Sequence, residues 1–169
     1  EIYTLSLHDA LPIFGRIHTN DAQRRWDFRF WHRAFTEQKG GNGMLEEICC
    51  LGAPKAIGPY CHAMRNGEMI ITSGQIPVNP ETNELVTDVK EATRQVLNNL
   101  LSIVVASGGT KESIAKVDVF VQTLDDFAAI NEVYADFFGT HRPARVLVQV
   151  AKLPGGAVLE ASMIAFSVK

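Results

Sequence analysis

Three polar features stand on stretches that are otherwise apolar, and each is of a type that can do chemistry. Arg145 opens "RVLVQV", Glu160 interrupts "AVLEASMIAF", and Ser73-Gly74 closes "MIITSG". An arginine stays charged at any ordinary pH and needs a carboxylate, a phosphate or water around it. Its planar fork matches a carboxylate with two parallel hydrogen bonds. A glutamate among apolar neighbours is a candidate general acid or base. A glycine lets its backbone N–H approach a ligand closely. Each feature also has a plainer explanation: a strand-end arginine with its head in water, or an ion pair between Arg145 and Glu160.

Other chemistries find less support in the residue pattern. Between Met44 and Lys169 the histidines are His62 and His141, far apart and without a cysteine or carboxylate cluster at metal-ligand spacing, so no metal and no cofactor is expected. Cys61 and His62 are adjacent, so on a strand they point to opposite faces and cannot act as nucleophile and base. They read as packing residues, and Cys49-Cys50 as incidental. The "SGG" and "PGG" stretches follow a helix and sit in a turn, which is not the context of a phosphate-cradling loop.

The elements that must position the three features can be read from period and punctuation. "CHAMRNGEMIITSG" carries a hairpin signal, with Asn66-Gly67 suited to a type I′ turn. "TDVKEATRQVLNNLLSIVVASGG" has helical spacing at Val89, Ala92, Val96, Leu100, Ile103 and Val104, started by Asp88 with Glu91 and stopped by Gly108-Gly109. Val117, Val119 and Val121 alternate as a strand. "DDFAAINEVYADFFG" is a second helix, with Phe127, Ile130, Tyr134, Phe137 and Phe138 inward and Gly139 at its end. Two final strands flank "LPGG". The order ββ(β)αβαββ predicts an α+β fold, two helices packed on one face of a mixed sheet.

If the last two strands form a hairpin with Ala151 opposite Val158, Gln149 lies opposite Glu160. Arg145 is then about 13 Å farther along the same face, at ~3.4 Å per residue, so the two do not pair directly. Both would face the side the helices leave open. That side also carries Leu147, Met163 or Ile164, depending on register, and an apolar face of this kind predicts self-association unless loops cover it. A neighbouring subunit could then bring Arg145 and Glu160 onto one small ligand.

Bulk properties narrow the setting. With 46% hydrophobic and 21% charged residues and a net charge of −3, the chain reads as an ordinary globular protein. No apolar run reaches the ~18 to 20 residues of a membrane span. Three cysteines make no even disulfide framework, which points to a reduced, cytoplasmic setting. The composition shifts near Met44. "EIYTLSLHDALPI" (Glu1 to Ile13) matches the translation of a common sequencing adapter, and residues 14–43 lack a sustained period. Residues 1–43 are therefore read as adapter-derived and leader sequence, the rival for residues 14–43 being an Arg-rich targeting peptide with Arg16, Arg24, Arg25, Arg29 and Arg33, and residues 44–169 are read as the domain. That domain has 10 basic against 14 acidic side chains, or −4, which argues against nucleic acid as a partner.

"APKAIGPYCHA", "MIITSGQIPVNPETNEL", "DDFAAINEVYADFF" and "PARVLVQVAKLPGGAVLEASMIAF" together resemble the reactive intermediate deaminase A family, also called the YjgF/YER057c/UK114 family. The resemblance runs from about Ala53 to the end. It implies a chorismate-mutase-like fold assembled as a homotrimer with clefts between subunits. The implied activity is hydrolysis of 2-enamine and 2-imine acids, notably 2-iminopropanoate and 2-iminobutanoate, to 2-keto acids and ammonia. By position, the family's carboxylate-binding arginine falls on Arg145, its acidic residue near the water on Glu160, its tyrosine on Tyr60, and its cleft-lining backbone on Ser73 and Gly74. Leu147 stands where many members have a cysteine, a position used mostly through its backbone. The loop before "PAR" is shorter than in the best-known members. The alternative reading is a trimer that binds small acids without turning them over.

Overall fold

The computed structural model describes residues 45–168, so the expected boundary at Met44 and the reading of residues 1–43 lie outside the described residues. In chain order the elements are β1 (Glu46–Ile48), β2 (Ala63–Asn66), β3 (Met69–Thr72), α1 (Val89–Ala106), β4 (Gly109–Val121), α2 (Phe127–Phe138), β5 (Ala144–Gln149) and β6 (Leu159–Ser167). The six strands form one sheet in the order β1-β2-β3-β6-β4-β5. Only β4 and β5 run parallel. With both helices on one face, this is the expected α+β arrangement.

Local chemistry explains the helix ends. The Asp88 carboxylate accepts from the Lys90 and Glu91 backbone N–H groups, both at 3.0 Å, and so caps α1. From there Ala92, Val96, Leu97, Leu100, Ile103 and Val104 form one buried stripe. In α2, Ile130, Val133 and Phe138 are buried, and Gly139 ends the helix at φ 60°. Tyr134 and Phe137 are partly buried against the core. Phe127, expected inward, is 45% exposed, because it begins the helix beside the sheet edge.

The helix-covered side of the sheet is built from matched rows. Val117 pairs with Met163, Val119 with Ala161 and Val121 with Leu159, and none of the six is more than 2% exposed. The alternate positions make the open side. There Met69, Ile71, Val146, Val148 and Phe166 are each 41–48% exposed. Ile164 belongs to this open side, whereas Leu147 and Met163 turn towards the helices.

Two expectations about turns need correction. The last two strands do not form a hairpin, because β4 lies between them. After α2 the chain returns parallel to β4 as a crossover, and β6 takes the other side of β4. The short 3₁₀ turn at Pro154–Gly156 therefore bridges the end of β4. In the β2–β3 hairpin, Asn66 pairs with Met69, which leaves Gly67 and Glu68 as the loop. Gly67 has φ 59° and Asn66 keeps an ordinary negative φ. A glycine first in a two-residue loop is the type II′ pattern, not type I′.

Candidate functional site

Glu160 lies on the open side of β6, opposite Phe120. It is half-buried, and no described residue hydrogen-bonds or pairs with its carboxylate; burial raises its pKa above the ordinary glutamate value. Gly74 is beside it. A Cβ on Gly74 would stand 2.0 Å from Glu160 Oε1, so a side chain here would displace the carboxylate from its present place. The segment is pinned from three sides. Ser73 N–H donates to His62 O at 2.9 Å, the Ser73 hydroxyl donates to Cys61 O at 2.6 Å, and Gln75 exchanges backbone hydrogen bonds with Ala161 at 2.8 and 3.1 Å.

Tyr60 adjoins this cluster through the chain, since Cys61, the next residue, receives the Ser73 hydroxyl. Tyr60 is 45% exposed, and its hydroxyl accepts a long hydrogen bond from Ile57 N–H at 3.4 Å. Its own proton is left to donate. His62 and Cys61 do the structural work read for them. His62 Nδ1 accepts from Cys50 N–H and Nε2 donates to Pro54 O, each at 2.9 Å, which fastens the preceding loop to the sheet. The Cys61 thiol contacts Met64 Sδ at 3.3 Å, and burial pushes its pKa up, the reverse of an activated thiolate.

Arg145 departs from the expected geometry. Pairing with Val117 sends its side chain to the helix-covered side, not the open side. The reason is the parallel β4–β5 pairing, which replaces the hairpin from which its face was read. Its Cζ lies 4.6 Å from the Tyr134 ring centroid and 6.0 Å from that of Phe127. Among the described residues no carboxylate pairs with it. Leu147 turns the same way and packs on the core, so only its main chain stands at the outer edge of the sheet.

One chain thus holds the candidate residues in two separate groups. Ser73, Gly74 and Glu160, with Tyr60 joined to them through the chain, form one group of candidate residues, and Arg145 with the backbone at Leu147 forms another. Two strand spacings of ~4.8 Å and three residues of ~3.4 Å place the Arg145 and Glu160 Cα atoms about 14 Å apart, on opposite faces. Tyr134 and Phe127 beneath Arg145 were read only as core. Their seven-residue spacing, which puts both on one stripe of α2, was the available signal. The groove between the helices, lined by Lys90, Glu91, Arg94, Glu132, Val133 and Asp136, contains none of the candidate residues. Among the described residues no group of three His, Cys, Asp or Glu side chains could hold a metal ion, and no helix is long and apolar enough to cross a membrane.

Comparison with known proteins places this geometry in context. The family model described as endoribonuclease L-PSP matches residues 50–167. A 2-iminobutanoate/2-iminopropanoate deaminase of Escherichia coli is 47% identical over 125 residues, covering 72% of this chain and 98% of that protein. A RutC family protein of Pyrococcus horikoshii is 44% identical over 124 residues, covering 73% and 98% respectively. The crystal structure of E. coli TdcF with bound serine superposes with a TM-score of 0.70 at 46% identity, covering 73% of this chain and 99% of that one.

Proposed function

We propose that this chain, which belongs to the endoribonuclease L-PSP family, hydrolyses small 2-imino acids in a cleft that two copies complete, within a cytoplasmic homotrimer. The observation that carries the reading is Arg145: a charged fork at the sheet edge, held over an aromatic ring and, among the described residues, without a carboxylate of its own. The family's deaminase names, carried by relatives about 47% identical, supply the reaction class. The apolar open side supplies a reason for self-association, which would bring Arg145 of one copy to Glu160 of another.

The chemistry follows from the residue types. The guanidinium grips the substrate carboxylate bidentately and fixes C2 in place. An iminium carbon is already electrophilic, so water needs positioning and loss of one proton. Glu160 takes that proton as oxygen bonds to C2, and the carboxyl so formed returns it to nitrogen. The C–N bond then breaks as Glu160 takes the hydroxyl proton and passes it to the departing ammonia, leaving a 2-keto acid and ammonium. A raised carboxyl pKa suits a group that must both take and give a proton. Tyr60 can donate to the departing nitrogen or to the carboxylate, and the Ser73-Gly74 backbone lines the cleft.

A second reading, capture of small acids without turnover, is favoured by the serine in the TdcF structure and by relatives named only as RutC family proteins. RNA cleavage, which the family description carries, fits poorly with a domain charge of −4. The test generates 2-iminopropanoate with an amino-acid oxidase and traps surviving imine with semicarbazide. Added protein should lower the trapped fraction in proportion to its concentration. A trapped fraction indifferent to the protein would leave only the capture reading.

A further inference from the structure

Tyr134 presents a contradiction that the proposed chemistry does not use. Its hydroxyl is buried and, among the described residues, is the one buried side-chain polar atom without a hydrogen-bond partner. An orphaned buried hydroxyl is destabilising, and a phenylalanine would avoid that loss. The ring, in contrast, is fully engaged. It packs on Phe138 at 4.6 Å between centroids with a 45° tilt, and Phe138 is only 3% exposed. Its other contact is the Arg145 guanidinium, at 4.6 Å. A continuous run of ring contacts therefore leads from the core through Phe138 and Tyr134 to the charge at the sheet edge. Phe127, two turns earlier on the same stripe of α2, stands on the guanidinium's flank at 6.0 Å.

We propose that the face of Tyr134 is the platform that positions Arg145 for a substrate carboxylate. A guanidinium meets aromatic rings with its flat face and carboxylates with its edge, so stacking leaves the donor fork free. A protein carboxylate could also hold Arg145 still, but it would occupy that fork and neutralise the charge the ligand needs. A neutral ring does neither. The platform keeps its neutrality under working conditions, because burial pushes the Tyr134 hydroxyl to about 12 while Arg145 pulls it only partly back. Tyr134 is on this account a positioning residue acting through Arg145, and its hydroxyl is incidental. The inference rests on the proposed grip of Arg145 on a carboxylate, though not on turnover.

Two measurements on the full chain test it: calorimetric affinity for pyruvate, the 2-keto acid of the three-carbon imine, and the ¹⁵N-edited resonance of the Arg145 Nε–H. In the parent the stacked ring should shift that resonance upfield. Tyr134→Leu should abolish the shift and weaken pyruvate binding about tenfold, as loss of one partly desolvated cation–π contact implies. Tyr134→Phe should restore both. In the imine assay KM should rise with the affinity loss while kcat stays within about twofold. A phenylalanine variant as impaired as the leucine variant would overturn the platform, as would an unshifted Nε–H in the parent. If Tyr134→Leu fails to fold, Tyr134→Met is closer in volume, and unchanged affinity in that folded variant would overturn it equally. A parent that binds no pyruvate overturns the positioning role together with the grip. A parent that binds pyruvate, shows the shift and turns over no imine overturns the deaminase proposal and leaves the platform standing.

Discussion

The two faces of the central sheet are made from the same strands and differ in what covers them. On β4 and β6, Val119 and Ala161 face the helices and are at most 2% exposed, while one residue away Phe120 and Glu160 face outward, half-buried. Side-chain type alone does not separate the faces, since Val146, Val148, Ile71 and Phe166 on the open side are as apolar as the core. The difference is that the covered side is closed by its own chain. The open side, which also holds Glu160, is not covered by a helix among the described residues. On the proposed function, stability and catalysis fall on opposite sides of one sheet, apart from Arg145, which reaches the edge from the covered side.

The largest expected effect breaks that assignment directly. Val119→Asp would bury an unpaired carboxylate on the covered side and should cost about 4 kcal/mol or more, enough to unfold much of the protein. Val148→Asp, at a position 41% exposed, should leave the monomer fold within about 0.5 kcal/mol. Its effect belongs to the assembly: sedimentation should show the parent as a trimer and this variant as a smaller species. Equal loss of secondary structure in the two variants would erase the distinction between the faces.

Next comes Arg145. Charge-assisted hydrogen bonds to a carboxylate are worth about 1.5 to 3 kcal/mol each, so Arg145→Ala should lose on the order of 10² to 10⁴ in kcat/KM. Lysine, which keeps the charge and loses the fork, should fall between. The melting temperature should move little, because no protein carboxylate is left unpaired. A large fall in melting temperature with catalysis per folded chain intact would make Arg145 a structural residue of the covered side.

The smallest effect is a pH signature of the open side. Burial raises the Glu160 carboxyl, so the folded chain binds this proton more tightly than the unfolded chain. Stability from this source is greatest below the ordinary glutamate pKa and is lost as pH rises through that value to the raised one. Glu160→Gln carries no such dependence. It should melt above the parent at about pH 8, with the gap closing towards about pH 4. A gap that widened on acidification would mean that Glu160 is held as a stabilised anion, which is the wrong ground state for the proposed base.

Much of this arrangement was legible where the cause is local. Asp88 and Gly139 announce helix ends because caps are short-range hydrogen-bond and backbone chemistry, and the alternation of Val117, Val119 and Val121 marks the inner face of β4. Strand partnership is a long-range choice, and there the reading failed. Nothing within "LPGG" says that β4 will separate β5 from β6. The face of Arg145 failed for the same reason, since in "RVLVQV" the row of Val146, Val148 and Val150 is more apolar than that of Arg145, Leu147 and Gln149, and only the partner strand decides that the second row is covered. Ser73-Gly74 and Glu160 were each noticed separately. That the glycine leaves room for the carboxylate is visible only when residues far apart in sequence meet.

The place of β6 has a consequence for how the chain comes into being. It is the last strand in sequence, yet it joins the β1–β3 half of the sheet to the β4–β5 half. During synthesis the hairpin of β2 and β3 and the β4–α2–β5 unit can form as they emerge. Ile71 has no lateral neighbour on one side until Ile164 arrives, and the inner row of β4 has none until Leu159 to Met163 follow. Pairings of such long sequence separation close slowly and leave apolar strands exposed in the interval. Both halves of the sheet wait on the nine residues of β6.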